Sequence, residues 1–196
     1  MKSSTHTLIK RNYLPGDNKD TLTEMIRVNH SGELGAINIY KGQILATKHR
    51  SFIKDEAKLL EILNHMYQQE IVHFQYFTRE VEQKKIRPSL LTSIWSSLGF
   101  TIGYMTGIFG EKTAMNLTIG VETVIGEHYQ SQLESIEAMK LNNEELYRKI
   151  SQFMAEELEH LDTSMASHKT MICSHLYLRK LVEVATNLAI SIAKRI

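Results

Sequence analysis

One cysteine, Cys173, in 196 residues excludes an intrachain disulfide framework and any thiolate-built zinc or iron–sulfur site within a single chain. Two prolines, Pro15 and Pro88, and ten glycines are too few to punctuate the many short strands of an all-β fold. An excess of one charge is lacking too. Lys and Arg number 23 against 22 Asp and Glu, and a net charge of +1 argues against a nucleic-acid partner held by broad electrostatics. With 42% hydrophobic residues, the chain can bury a core and is weighted towards long helices.

Residues 1–20 mix Lys2, Lys10, Arg11 and Lys19 with Asp17 and Asp20 and hold no apolar run of signal-peptide length, so secretion is not expected. They read as a polar lead-in to a single helical domain over 21–196. Thr21-Leu22-Thr23-Glu24 has capping-box spacing and predicts a helix start. Apolar periodicity predicts helices at about 21–47, 53–84, 111–139, 143–170 and 174–194. Between Arg87 and Glu111 lie 23 residues without a charge, Pro88 to Gly110. That length spans a bilayer if helical, yet the frequent Ser, Thr and Gly make it only moderately apolar. The favoured expectation is a segment on or partly in a membrane surface, ahead of a buried element and of a true span. Gly99, Gly103 and Gly107 recur every four residues, which lets another helix approach closely. The last helix sets Leu181, Val184 and Leu188 against Arg179, Lys180 and Lys194, and suits a membrane surface or docking on the bundle equally.

In the second helix Leu59, Leu63, Met66, Glu70, His73 and Phe77 form one inward stripe. Leu146, Ile150, Phe153, Glu157, His160 and Ser164 repeat it 87 residues later. Each stripe thus places a carboxylate and an imidazole in the core, which costs several kcal/mol unless they are paired or bound to a cation. Glu and His at i, i+3 share a helical face, and two Glu-x-x-His elements match the pattern of carboxylate-bridged di-iron bundles. That pattern needs one more Glu from each of two other helices. Glu33 and Glu122 precede the two motifs by similar intervals, and each is followed seven residues later by a tyrosine, Tyr40 and Tyr129. Glu24, Glu111 and Glu127 compete for these places. Glu24 is better suited to the cap and Glu111 to a helix start. Four carboxylates balance two divalent ions, and oxygen and imidazole donors without thiolates suit iron or manganese.

Arg27-Val28-Asn29-His30-Ser31-Gly32-Glu33-Leu34-Gly35-Ala36, with Ile39-Tyr40 and Gly42-Gln43, closely resembles the first ligand helix of the demethoxyubiquinone hydroxylase family. Val121-Glu122 with His128-Tyr129 and Gln132, and Glu156-Glu157-Leu158-Glu159-His160, resemble its later helices. The resemblance implies an all-α, ferritin-like four-helix bundle with an extra C-terminal helix and a membrane-associating segment between the second and third bundle helices. It implies Glu33, Glu70, His73, Glu122, Glu157 and His160 as ligands of two iron ions, with Glu70 and Glu157 as bridges. The activity implied is O2-dependent hydroxylation of the demethoxyubiquinone ring, the penultimate step of ubiquinone synthesis, with reduced nicotinamide as the ultimate electron source. A polyprenyl quinone and a membrane surface are the implied partners, the latter bound peripherally. With no transit peptide legible at the N-terminus, the cytoplasmic side of a bacterial inner membrane is expected ahead of a mitochondrial precursor. Homo-oligomers and lipid-binding or ubiquinone-biosynthesis partner proteins stay open.

Tyr129 is expected to orient a ligand or pass electrons, on the Glu122 face of its helix. His128 is turned from that face but within reach of the pocket. His30, His49, His65, His168 and His175 read as structural or exposed, Cys173 as a small buried residue, and Met66, Met105, Met115, Met154 and Met165 as core. Two rival functions keep part of the pattern: a ferritin-like or rubrerythrin-like iron oxidase or peroxidase, and a non-enzymatic membrane-associated scaffold.

Overall fold

The computed structural model describes residues 17–51, 56–140, 143–167 and 173–194, with the backbone alone at 17–20 and 173–178. Six helices and no strand are found among them: α1 (Asp17–Arg50), α2 (Ala57–Gln83), α3 (Thr92–Ile108), α4 (Glu111–Ala138), α5 (Glu144–Ala166) and α6 (Cys173–Ala193). Helix α1 begins before Thr21, so the capping-box reading is corrected. Thr21 and Glu24 lie inside the helix, and Glu24 faces Lys194 at 3.8 Å. The start of α5 is capped conventionally: the Asn143 side chain accepts from the Leu146 N–H at 3.2 Å. His168 and the break at Leu141-Asn142 lie outside the described residues, as do the side chains of Cys173 and His175.

Helices α1, α2, α4 and α5 form the ferritin-like bundle. Both sequence stripes are its inward faces: Leu59 to Phe77 in α2 and Leu146 to Ser164 in α5 are buried at every stripe position. Phe77, Phe153, Ile150 and Tyr129 close one end of the core, and Tyr40, Leu63, Met66 and Met115 the other. The polar layer lies between them. Pairs Asn29–Gln132 and Tyr40–Glu122 set α1 antiparallel to α4, and pairs His73–Glu156 and Gln69–His160 do the same for α2 and α5. Each half carries an outer helix, α3 packed on α1 and α6 on α4.

The uncharged stretch is therefore an outer helix, and the glycine spacing explains its seat. A Cβ on Gly99 would lie 2.8 Å from the Gly35 carbonyl oxygen and one on Gly107 2.7 Å from the Ala46 Cβ, while one on Gly103 would collide with the Ile39 carbonyl. Gly42 on α1 answers from the other side, against the Phe100 carbonyl. Gly99–Gly35, Gly103–Ile39 and Gly107–Gln43 all differ by 64 in number, so α1 and α3 run parallel in fixed register. No described helix is long and apolar enough to cross a membrane. Instead, Leu90, Ile94, Leu98, Met105, Ile108 and Phe109 point to solvent, Phe109 with 75% of its surface exposed. Helix α6 docks on the bundle through Val182 against Gly120, and Leu181, Val184 and Leu188 remain exposed. Met66 and Met115 are core, but Met105 and Met165 are exposed, which corrects the uniform core reading; the α3 residues buried against α1 are Gly99, Gly103, Thr106 and Gly107, and Met105 lies beside that seam, open to solvent.

Candidate metal centre and adjoining cavity

Glu33, Glu70, His73, Glu122, Glu157 and His160 meet in the polar layer of the bundle, all fully buried. They form two overlapping groups, Glu33–Glu70–His73–Glu157 and Glu70–Glu122–Glu157–His160, and in each the donor atoms lie within 4.8 Å of one another. Glu70 and Glu157 are common to both. The His73 Nδ1 lies 3.2 Å from Glu157, 3.6 Å from Glu33 and 3.8 Å from Glu70; the His160 Nδ1 lies 3.1 Å from Glu157, 3.5 Å from Glu70 and 3.9 Å from Glu122. Of the competing acids, Glu111 begins α4 and Glu127 is exposed, and neither joins these groups, nor does Glu24.

Two pairs of side chains aim the site, and sequence reasoning missed one of them. The Nε2 of His73 lies 2.6 Å from Glu156, and that of His160 lies 2.8 Å from Gln69. Each imidazole is thereby held from behind by the opposite helix and turns Nδ1 inward, the arrangement by which outer partners orient metal-binding histidines. Gln69 and Glu156 precede the two motif glutamates and are themselves 87 apart, so extending the repeat by one residue finds them. The tyrosines form the second pair, with partners exchanged relative to expectation. Tyr40 donates to Glu122 at 2.7 Å and Tyr129 donates to Glu33. Sharing a face along one helix places Glu and Tyr two turns apart, too far to bond, whereas antiparallel α1 and α4 bring each tyrosine to the other's glutamate.

Burial, then the charges of Glu157, Glu33 and Glu122, pushes the Glu70 carboxyl well above its usual range; burial and Glu157 do the same to Glu122. Burial also opposes charge on His73, yet Glu157 and Glu33 raise it to about 12, and His160 is raised by Glu157 and Glu122. Glu157 is itself pushed up by burial but drawn down further by His160 and His73. Glu70 and Glu122 thus favour the protonated form, while Glu157 is held ionised between two imidazoles that favour charge. Both Glu70 oxygens, one oxygen each of Glu33, Glu122 and Glu157, and the His73 Nδ1 are buried without a hydrogen-bond partner. Orphaned acceptors converging with imidazole nitrogens, on carboxylates that balance two divalent charges, fit a pair of hard cations such as iron.

A cavity of about 480 Å³ adjoins this centre between α1, α3, α4 and α6. Glu33 and Tyr129 form part of its wall, with Asn29 and His128 beside them; Ile39, Leu117, Val121 and Val182 line the rest. His128 does reach the cavity, as its position beyond the Glu122 face allowed. Leu98, Ile102 and Met105 line the cavity and are also solvent-exposed, so it opens where α3 shows its apolar side. His30 is buried against Phe74 with ring centroids 4.8 Å apart, and His49 and His65 are exposed, in keeping with structural or surface roles.

Known proteins are similar to this chain over most of its length. The chain is 34% identical to the 3-demethoxyubiquinol 3-hydroxylase of Rhodospirillum rubrum, over 93% of the chain and 83% of the relative. It is 35% identical to the mitochondrial 5-demethoxyubiquinone hydroxylase of Saccharomyces cerevisiae, over 89% and 78%, and 31% identical to the mitochondrial NADPH-dependent 3-demethoxyubiquinone 3-hydroxylase of Dictyostelium discoideum, over 99% and 88%. The model of the ubiquinone biosynthesis protein COQ7 matches residues 20–193, which take in all six helices but the first turn of α1. With the whole bundle, its outer helices and the polar layer inside one match, the chain belongs to the COQ7 family of ubiquinone biosynthesis proteins.

Proposed function

We propose that the chain hydroxylates the ring of a demethoxyubiquinol, using O2 and electrons from NADPH, at two iron ions held by Glu33, Glu70, His73, Glu122, Glu157 and His160. The observation that carries this reading is the pair of buried ligand groups sharing Glu70 and Glu157 against the wall of an apolar cavity. The names of the relatives supply the substrate class and, for the Dictyostelium protein, the reductant. Bound iron would supply the redox chemistry that activates O2 and delivers one oxygen atom to the ring. The chain's own work is to hold, orient and exclude. Gln69 and Glu156 fix the two imidazoles, Tyr40 and Tyr129 each hold one carboxylate oxygen, and six protein donors for two ions leave positions open. The apolar cavity excludes water from the ring, and its wall places an occupant beside Glu33.

A quinone with an isoprenoid tail is dissolved in lipid, so the mouth should face a membrane. The exposed apolar residues of α3 and the Leu181–Val184–Leu188 stripe of α6 support a peripheral association in which both outer helices rest on the bilayer beside the cavity mouth.

Purified chain with Fe(II), O2 and NADPH-driven reductant should convert demethoxyubiquinol to a product heavier by one oxygen, with two Fe bound per chain in an anaerobic titration. Glu157→Ala should abolish turnover. Product formed equally by that variant would refute the site, and absence of stoichiometric iron would favour a scaffold. Iron oxidation without quinone conversion would point to a ferritin-like oxidase. Co-sedimentation with phospholipid vesicles should require the exposed leucines, and Leu181→Glu with Leu188→Glu should release the protein.

A further inference from the structure

The hydrogen bonds behind His128 fix which of its nitrogens carries the proton. The side chains of Asn29 and Gln132 bond reciprocally across α1 and α4: Asn29 Nδ2 donates to Gln132 Oε1 at 2.9 Å, and Gln132 Nε2 donates to Asn29 Oδ1 at 2.8 Å. Both residues are buried. The Gln132 oxygen is therefore engaged by Asn29, and its Nε2 has one proton left. That proton points to His128 Nε2, 2.8 Å away. Two N–H groups cannot face each other at this distance, so His128 Nε2 is the acceptor and the neutral ring carries its proton on Nδ1.

We propose that Gln132, held by Asn29, is a positioning residue that locks His128 as the Nδ1–H tautomer, so that the cavity meets His128 as a hydrogen-bond donor to an oxygen of the substrate ring. The first half of this statement rests on the amide orientations of Asn29 and Gln132; the second rests on the quinol reading of the cavity. With Nε2 committed to Gln132, His128 has no free lone pair to act as a base towards an occupant. Burial, and then the Lys194 charge, push the His128 pKa down to about 4, which keeps the ring neutral.

The internal duplication supplies a comparison within the chain. Gln43 stands 89 residues before Gln132, as Glu33 stands before Glu122 and Tyr40 before Tyr129. Gln43 instead donates to the Ala114 carbonyl at 3.1 Å and leaves its own oxygen unpartnered. The residue 89 before His128 is Ile39, which also lines the cavity. The bundle therefore accepts an apolar residue at this wall position, and the His128–Gln132–Asn29 chain is a specialisation of one half rather than a requirement of the fold.

The test is nitrogen NMR of the full chain, prepared metal-free and labelled with 15N-histidine, with the His128 signals assigned by their loss in His128→Asn. The expected result is an unprotonated Nε2 and a protonated Nδ1 between pH 6 and 8. In Gln132→Glu an acceptor-only carboxylate faces the ring, and the proton should move to Nε2. Asn29→Ala frees the Gln132 amide to rotate and should give a mixture of tautomers. A wild-type chain with the proton on Nε2, or a tautomer unchanged in both variants, overturns the lock. Calorimetric binding of 2,3-dimethoxy-5-methyl-1,4-benzoquinone tests the second half: affinity should fall about 3- to 10-fold in Gln132→Glu. Equal affinity overturns the donor role while the tautomer result stands, and no binding by wild type overturns the quinol reading of the cavity instead.

Discussion

Tyr40 on α1 donates a 2.7 Å hydrogen bond to Glu122 on α4, while Tyr129 on α4 donates to Glu33 on α1. Glu33 and Glu122 thus each have one oxygen held by the facing helix and the other buried without a partner. Tyr40→Phe leaves the held oxygen of Glu122 buried without a donor, and the metal-free chain should lose about 1–3 kcal/mol in urea denaturation. Tyr147→Phe, which removes a surface hydrogen bond to Glu137, is the comparison and should change little. Equal losses in the two variants would mean that the crossed tyrosines do not brace the centre.

Gln69 and Glu156 should matter for metal retention more than for folding. Removing either outer partner frees an imidazole to rotate, and Gln69→Ala or Glu156→Ala should weaken Fe(II) binding about 10- to 100-fold in anaerobic titration. Wild-type affinity in both variants would disprove their orienting role.

The acid limb of stability should carry the mark of His128. Burial first and Lys194 second hold it at about 4 in the folded chain, against an ordinary value of 6.5. Between these values the unfolded chain binds a proton that the folded chain does not, so this group costs stability as pH falls from about 6.5 towards 4. His128→Asn should narrow the difference between urea midpoints at pH 7 and pH 5. A difference as wide as that of the wild type would contradict the buried neutral ring.

The seat of α3 on α1 is set by glycines. Gly103→Ala or Gly42→Ala drives a Cβ into facing backbone and should cost about 1–3 kcal/mol. Gly32, also on α1, has nothing within 4 Å of a built Cβ, and Gly32→Ala should stabilise by up to about 1 kcal/mol. Thermal midpoints moving in the same direction in all three would rule out close packing as the cause.

Trp95, the one tryptophan of the chain, lines the cavity, and its indole N–H is buried without a partner. The α1–α3 register places it opposite Ser31, within one turn of Glu33. A quinone entering the cavity should quench its fluorescence in a saturable manner. Linear quenching, equal to that of free tryptophan, would show that the quinone does not reside there.

Much of this protein was legible before folding because burial is periodic. The steps of three and four that carried Leu59 to Phe77 and Leu146 to Ser164 mark the inward faces, and a carboxylate or imidazole on such a face has to be compensated wherever the helix packs. The choice of Glu33 and Glu122 over Glu24, Glu111 and Glu127 followed from the duplication, since a repeated half must repeat its donors. The start of α1 was misplaced because capping signals compete locally with whatever extends the helix.

Tertiary structure alone decided what faces what. A sequence places Tyr129 two turns from Glu122, but only the antiparallel crossing of α1 and α4 gives it to Glu33, and only the α2–α5 crossing sets Gln69 behind His160. The uncharged stretch shows the same division. Its composition announced a segment that avoids charge, while the contact of Gly99, Gly103 and Gly107 with α1 decided that it is an outer helix with an apolar face turned to solvent. Periodicity along one chain is a property of the backbone and can be read residue by residue; partnership between helices depends on crossing direction and register, which distant parts of the chain fix together.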